Sequence, residues 1–294
     1  MSATSATDPY DITAKSNNLG RRRRKQQLVS VLAVLSAAFA VFILALVLGS
    51  VLLKGLKALD LDFFTKSAAL FGEKGGIADA LVGSAIIVFM AMLMAVPIAI
   101  LVAIYIAEYA GPKAASFFRV TLDVLNGVPA ILVGIFIYGL LVVGHGQSAI
   151  YGAMALAILM IPMLARTTEE MVRLVPHSLR EAALALGYPR WRTSLKIVAR
   201  TALGGIVTGC LVGIARIAGE TAPLLFTALG NLNFSLSVGQ PMQTLSLQIY
   251  VYATGPFDEW HRLAWASALV LMGLVLVISI AARWVTRQRY GSVR

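Results

Sequence analysis

"SLREAALALGYPRW", residues 178–191, is the stretch that decides how this chain is organised. Glu181 follows Ser178 by three residues, the spacing of a capping box, in which each side chain accepts a hydrogen bond from the other residue's backbone N–H. Gly187 is placed to end a helix in the left-handed conformation. One helical face carries four apolar residues: Leu179, Ala182, Ala183 and Leu186. The sequence therefore predicts a two-turn helix over residues 179–186 with a single apolar stripe.

A helix this short is marginal in water unless it packs against something else. Two possibilities remain open from its residues alone. The segment can be a loop that packs on its own chain, or it can bind a partner protein.

The rest of the chain is strongly apolar. Of its 294 residues, 59% are hydrophobic and 13% are charged, whereas soluble domains carry about 25% charged residues. Several apolar runs reach the ~20 residues that a hydrocarbon core of ~30 Å requires. They are Leu28–Leu53, Ala80–Ala107, the two parts of Val124–Ala165 that "GHGQS" at 144–148 separates, Thr201–Leu229 and Leu263–Ala282. These runs predict an all-α membrane protein with a bundle of six transmembrane helices.

Basic residues indicate the orientation. With both termini in the cytoplasm, 19 of the 25 lysine and arginine residues lie inside, five lie outside and Arg216 lies within a span. This asymmetry follows the positive-inside rule. The net charge of +11 is therefore explained by topology and does not indicate nucleic acid binding. The predicted helix in residues 178–191 then faces the cytoplasm.

The amino-terminal residues 1–27 are polar and rich in Ser, Thr and Asp, which predicts a disordered cytoplasmic tail before a first helix over 28–53. "RRRRK" followed by an apolar run is typical of a signal peptide, but this run continues to Leu53, beyond the roughly 7–15 residues of a signal sequence. An uncleaved first helix is therefore expected. The single cysteine, Cys210, excludes an internal disulfide and is expected to be a small buried hydrophobic residue.

Two charged residues, Arg216 and Glu220, lie inside the fifth apolar run. A charge at the centre of a membrane helix costs about 2.5–3.5 kcal/mol on insertion scales, so both are candidates for function. Their i, i+4 spacing allows the two side chains to face each other on a helix. Gly205, Gly209 and Gly213 share that face and allow a second helix to approach closely.

The charged pair has two open interpretations. It can be a structural ion pair that fixes a helix register, or Arg216 can bind an anion on a translocation path, because a guanidinium donates in a planar fork to oxyanions. Asn126 and Pro129 lie near the start of the third predicted helix, where a proline kink is favoured over substrate contact. The predicted substrate-path residues are Arg216, Glu220, Thr221 and Asn126.

Two other segments lie on the predicted external side. Residues 231–262 form an external segment in which "MQTLSLQIYVYA", at 242–253, is apolar enough to enter the membrane interface or to plug the bundle. His145 lies in a tight external turn without a second His, Cys or carboxylate nearby, so no metal site is expected there.

The pattern Glu181-Ala182-Ala183 followed by Gly187 and Ile197 resembles the EAA loop of ABC importer permeases of the type I class. The resemblance implies the fold of those permeases over residues 77–290, with the EAA loop at 167–200. It also implies that the short helix is a coupling helix that binds an ATPase subunit. The coupling residues are then Ser178, Glu181, Ala182, Ala183 and Gly187. The family's usual ending, Ile-x-Leu-Pro, is absent, because Arg200 occupies the position of the proline.

Three segments together resemble the PstA-type permease subunits of high-affinity phosphate ABC importers: "LDVLNGVPAILVGIFIYG" (122–139), "SLREAALALGYP" (178–189) and "GIARIAGETAPLLFTAL" (213–229). The resemblance covers residues 28–290. It implies half of an alternating-access path for phosphate in the bacterial inner membrane. The implied partners are a second related permease (PstC-type), ATPase subunits (PstB-type), an external phosphate-binding protein (PstS-type) and membrane lipid.

No Walker A pattern occurs in the chain. ATP and Mg²⁺ are therefore expected on the partner ATPase, and this chain is expected to carry no cofactor and no enzymatic activity. Three alternatives remain: a permease for another oxyanion or small solute, a self-sufficient secondary transporter, and a sensory membrane protein without transport.

Overall fold

The computed structural model describes residues 19–68, 75–229 and 235–290. This part of the chain consists of helices, turns and connecting segments and contains no strand. The helices are α1 (Leu19–Gly55), α2 (Leu61–Thr65), α3 (Ala78–Ile104), α4 (Pro112–Gly127), α5 (Ala130–Ile137), α6 (Ala149–Arg173), α7 (His177–Ala185), α8 (Arg190–Arg192), α9 (Ala199–Ile217), α10 (Ala222–Thr227), α11 (Leu245–Thr254) and α12 (Asp258–Tyr290). Short π-helical segments extend α3, α5 and α8, at Tyr105–Tyr109, Tyr138–Val142 and Thr193–Val198.

The described residues divide into two separate units, one up to Leu52 and one from Leu53 onward. Helix α1, which has 37 residues, supplies the described residues of the first unit. It begins at Leu19, so the predicted disorder of residues 19–27 is wrong, while residues 1–18 lie outside the described range. Arginine, lysine and glutamine are good helix formers, which explains why the helix includes the basic stretch before the apolar run.

In the second unit, α3 and α6 pack side by side along small residues. The buried stripe of α3 repeats every four residues: Ile87, Ala91, Ala95, Ala99 and Ala103. The apolar core formed with α6 includes Ala149, Ala153, Leu156, Ala157 and Leu164. Because alanine side chains are short, the two helices can approach closely over their length. This pair forms the centre of the largest hydrophobic cluster of the unit.

The third predicted span is bent. Helices α4 and α5 meet at an angle of 92°, and the bend lies at Val128 and Pro129. Val128 is extended, with ψ at 128°, because the residue before a proline avoids the helical region. The predicted kink is therefore present. Asn126, however, lies in the last turn of α4 rather than at the start of the next helix, and its side chain is exposed.

Five helices within the described residues are long and apolar enough to cross a membrane, and the bent α4–α5 pair makes a possible sixth. This agrees with six predicted spans, although some ends differ. The fifth span stops at Ile217 instead of reaching Leu229, since a turn follows it and a separate helix, α10, begins with proline in its first turn. Proline is favoured there because the first N–H groups of a helix have no intrahelical partner.

Two short helices lie at opposite ends of α3. Helix α7 is next to its carboxyl end, where Arg180 contacts Glu108. Helix α11 is next to its amino end, where the backbone N–H of Leu245 donates to Ser84 Oγ at 2.8 Å. Within the predicted external segment 231–262, residues 245–254 form α11 and residues 258–262 begin α12, while residues 231–234 lie outside the described range.

Candidate functional site

Helix α7 is the helix that the stretch at 178–191 predicts, but it begins differently. It starts at His177, its N-cap is Pro176, and it has no side-chain capping bond. The predicted capping box of Ser178 and Glu181 is therefore wrong. The backbone of Pro176 already starts the helix, which places Ser178 inside the first turn, where its side chain cannot act as an N-cap. Both Ser178 and Glu181 are exposed.

The end of α7 matches the prediction. Gly187 has a φ of +82°, in the left-handed region. Its N–H donates to the carbonyl of Leu184 at 2.9 Å, and the N–H of Tyr188 donates to the carbonyl of Ala183 at 3.1 Å. These two bonds form a Schellman motif, which glycine favours because it has no β-carbon to clash in this conformation.

Most apolar side chains of α7 are uncovered. Ala183 is the one buried residue of the helix. Two leucines of the predicted apolar stripe are exposed: Leu179 by 40%, and Leu186, which lies just after the helix, by 78%. Trp191, a few residues further on, is 53% exposed. The helix and the segment after it therefore present an apolar surface that the described chain leaves open.

Arg180 attaches α7 to the carboxyl ends of α3 and α6. Its guanidinium donates to Glu108 Oε1 from Nε at 3.0 Å and from Nη2 at 2.7 Å. It also donates to the backbone carbonyl of Val172 at 3.0 Å and to that of Val175. The side chains of Arg180 and Glu108 are only 14% and 11% exposed. These charge-assisted bonds are therefore largely shielded from water.

A second ion-pair cluster surrounds Glu169 of α6, whose side chain is 1% exposed. Three arginines contact its carboxylate: Arg119 of α4 at 2.7 Å, Arg166 at 3.1 Å and Arg173 at 3.0 Å. A buried carboxylate requires such partners, because burial without them is very costly. The cluster fixes α4 to α6 next to the α7 end of the unit.

After α7 and a short turn, the chain forms one unbroken helical run from Arg190 to Ile217. Arg200 lies within this run, which passes from the π-helical segment Thr193–Val198 directly into α9. A proline at residue 200 would lack the N–H that such a helix uses and would tend to break it. Arg200, which stands where the family usually has proline, is therefore compatible with a continuous helix.

Arg216 and Glu220 approach each other, but they do not lie on one helix. Helix α9 ends at Ile217, and Glu220 lies in the connection to α10. The predicted helical i, i+4 pair is corrected to a contact across a helix end, with Arg216 Nε 3.9 Å from Glu220 Oε1. The Arg216 side chain is 56% exposed, and its Nη1 lies 3.5 Å from Met163 Sδ on α6.

The other predicted path residues lie on different elements. Thr221 follows Glu220 and is half-buried, whereas Asn126 is exposed on α4. Ser246 Oγ, on α11, donates to the backbone carbonyl of Glu220 at 2.9 Å. Helix α11 therefore holds the connection that carries Glu220. Within the described residues, no group of three or more His, Cys, Asp or Glu is placed to hold a metal ion.

The glycines of α9 face α6. A β-carbon on Gly205 would overlap the side chain of Met171, and one on Gly209 would lie 3.0 Å from Thr167 Oγ1. One on Gly213 would come within 3.1 Å of another methionine side chain of α6. The three glycines predict that a second helix approaches α9 closely. In the structure that second helix is α6.

Residues 95–289 match the family model for the binding-protein-dependent transport system inner membrane component. The chain belongs to this family. Its several apolar helices and its membership of this family show that it is a multi-pass membrane protein and a transport subunit.

Curated relatives match this inner membrane component over most of its length. It is 41% identical over 276 residues to the phosphate transport system permease protein PstA of Xylella fastidiosa (strain Temecula1), covering 92% of this chain and 96% of that protein. It is 43% identical over 265 residues to the protein of the same name in Pasteurella multocida (strain Pm70), covering 89% and 94%. A probable ABC transporter permease protein of Bacillus subtilis, YqgI, is 33% identical over 288 residues, covering 92% and 97%.

Solved structures share the fold of the inner membrane component. A chain of a bacterial alginate ABC transporter has a TM-score of 0.66 at 12% identity, covering 92% of this chain and 98% of that chain. A chain of the inward-facing MetNI methionine ABC transporter has a TM-score of 0.57 at 18% identity, covering 72% and 94%. The predicted fold of a type I ABC importer permease is confirmed.

Sequence reasoning missed three residues of the inner membrane component: Arg180, Glu108 and Glu169. The contacts of Glu169 within α6 have a local signal, because Arg166 and Arg173 lie at i−3 and i+4 on the same helix. The pairing of Arg180 with Glu108 has none, because 72 residues separate them.

Proposed function

We propose that this chain is the permease subunit of an ATP-driven phosphate importer and forms half of its alternating-access translocation path. The other half is a related PstC-type permease, ATP hydrolysis takes place on PstB-type subunits, and a PstS-type binding protein delivers phosphate from outside. The observation that carries the proposal is the 41–43% identity, over about nine tenths of the chain, to proteins named as phosphate transport permeases.

The exposed surface of α7 supports the coupling part of the proposal. The distribution of basic residues favours a cytoplasmic position for both termini and for α7. A helix of nine residues with one buried side chain has little packing of its own, and such a helix is marginal without it. A cleft in the ATPase would cover the uncovered leucines, with Glu181 and Ala182 on the contacting surface.

Arg216 is the residue proposed to contact phosphate. An ion pair with N and O 3.9 Å apart, in which the arginine is 56% exposed, contributes little to stability. This weakens the alternative of a purely structural pair. Inside a membrane segment, a guanidinium must face water, a polar partner or a ligand. Its planar fork suits a tetrahedral oxyanion, and Glu220 can accept from an oxyanion that still carries a proton.

The test is ATP hydrolysis by the reconstituted complex of both permeases and the ATPases in liposomes. With the binding protein added free of ligand, hydrolysis should rise when phosphate is supplied and should not rise when sulfate is supplied instead. An equal or larger response to sulfate would favour a permease for another oxyanion. Phosphate uptake by this chain without any ATPase subunit would favour a secondary transporter.

A further inference from the structure

We propose that Arg180 and Glu108 are positioning residues that hold α7 rigidly on the carboxyl ends of α3 and α6, so that a displacement of α7 moves these two helices. This inference rests on the proposed coupling role of α7. It assigns a role to two residues outside both the uncovered surface of α7 and the Arg216–Glu220 pair.

The first reason is the number of attachments that one side chain makes. Arg180 binds Glu108 on the π-helical segment after α3, Val172 in the last turn of α6, and Val175 in the connection before α7. A guanidinium can make all these bonds at once because its donors point outward in a rigid plane. Arg180 therefore ties three elements together at one point.

The second reason is that α7 has few other attachments. Ala183 is its one buried residue, and the Arg180 side chain is 14% exposed. The remaining residues of the helix are exposed. Without the Arg180 bonds, α7 would keep its two chain connections, its one buried alanine and its contacts with the segment Thr193–Val198. A pull on α7 would then act on α9 and no longer on α3 and α6 through the Arg180 bonds.

The third reason is the charge around the pair. A cavity of about 510 Å³ lies beside it, lined by Ala107, Glu108, Arg173, His177, Arg180 and Arg190. Glu108 contributes the one carboxylate among these residues. If it is neutralised, Arg180 keeps only carbonyl acceptors and faces other arginines, which disfavours its buried position. The long side chain can then turn outward to water. This releases α7 without unfolding the spans.

The experiment compares variants in the full reconstituted complex and measures the phosphate taken up per ATP hydrolysed. Glu108→Gln should lower this ratio by about fivefold or more, the range of a typical coupling free energy, while ATPase subunits still co-purify. Arg180→Lys should give an intermediate ratio, because lysine keeps the charge but cannot make the same set of bonds. Arg190→Gln is the matched control, since Arg190 is exposed and lines the same cavity, and it should leave the ratio unchanged.

The double variant Glu108→Arg with Arg180→Glu exchanges the two charges and should restore part of the phosphate uptake per ATP. If the single variants only lowered stability, the double variant would not restore it. An unchanged ratio in Glu108→Gln overturns the inference. So does loss of Glu108→Gln, Arg180→Lys and the exchange variant from the membrane, because the pair would then serve folding. If the wild-type complex shows no phosphate-stimulated hydrolysis, the proposed function fails instead.

Discussion

Helices α7 and α11 are similar in length, yet their environments differ. Helix α7 has nine residues and buries only Ala183, whereas α11 has ten residues and buries five: Leu245, Ser246, Leu247, Gln248 and Tyr252. The first turn of α11 is also tied down, since Thr244 Oγ1 accepts from the N–H of Leu247 and the Gln248 side chain donates to the carbonyl of Gly76.

The difference shows how a short helix obtains its stability. Isolated helices of this length are marginal, so most of their stability must come from packing. Helix α11 receives that packing from α3 and α12 of its own chain. Helix α7 receives one polar anchor, one buried alanine and contacts with the segment Thr193–Val198, which leaves most of its apolar side chains available to a partner.

The comparison is tested most strongly by truncating one leucine in each region. Leu247→Ala in α11 should lower the free energy of unfolding by about 2–5 kcal/mol, because it opens a cavity in a fully buried position. Leu186→Ala at the end of α7 should change it by less than about 0.5 kcal/mol, because that side chain is already exposed. The measurement is denaturant unfolding of the purified chain in detergent, and equal effects would contradict the comparison.

At the α11 end, Arg216→Gln should reduce phosphate uptake by about twentyfold, since a hydrogen bond to a charged group contributes about 1.5–3 kcal/mol. ATPase subunits should stay bound, because α7 is untouched. Arg262→Gln is the control, as it removes a half-buried arginine of another ion pair. If Arg216→Gln instead disappears from the membrane, the pair has a structural role.

At the α7 end, Gly187→Asp should reduce uptake by about tenfold while the protein stays in the membrane, because a left-handed residue with a β-carbon costs roughly 1–2 kcal/mol. Gly111→Asp is matched to it, since Gly111 has an ordinary φ of −65° at the start of α4 and has open space around it. Wild-type uptake by Gly187→Asp would show that the end of α7 does not serve coupling.

The smallest effect is expected for Ser246→Ala, which removes the bond from α11 to the Glu220 carbonyl. One such bond contributes about 1 kcal/mol, so a several-fold reduction in uptake is expected. Thr254→Ala, which removes an exposed hydroxyl that bonds within α11 itself, should leave uptake unchanged. The same reduction in both variants would mean that Ser246 acts on α11 and not on Glu220.

The sequence predicted those features that depend on composition or on local spacing. Apolar runs predicted the spans, and Gly187 predicted the end of α7, because span length and a left-handed glycine are local properties. The prediction of a capping box was wrong because α7 begins at His177, with Pro176 as its N-cap, and not after Ser178. The extension of the fifth span failed because a turn can interrupt an apolar run without any change in hydrophobicity.

Contacts between distant residues were beyond such reasoning. Glu108 and Arg180 are separated by several helices in sequence, and neither lies in a pattern that indicates a partner. The same holds for Ser246 and the backbone of Glu220. Only the packing of α3, α6 and α11 brings these groups together.

The uninterrupted helical run from Arg190 to Ile217 has a mechanical consequence. Its 28 residues extend for roughly 42 Å at the usual helical rise. Arg216 lies near the far end of this rod, so each degree of rotation about the Arg190 end moves it by about 0.7 Å for a rigid helix of that length. A hinge in the middle would dissipate such a movement. With Arg200 in place of a proline, the run has no proline break, and a tilt of about 3° at its Arg190 end would displace Arg216 by about 2 Å.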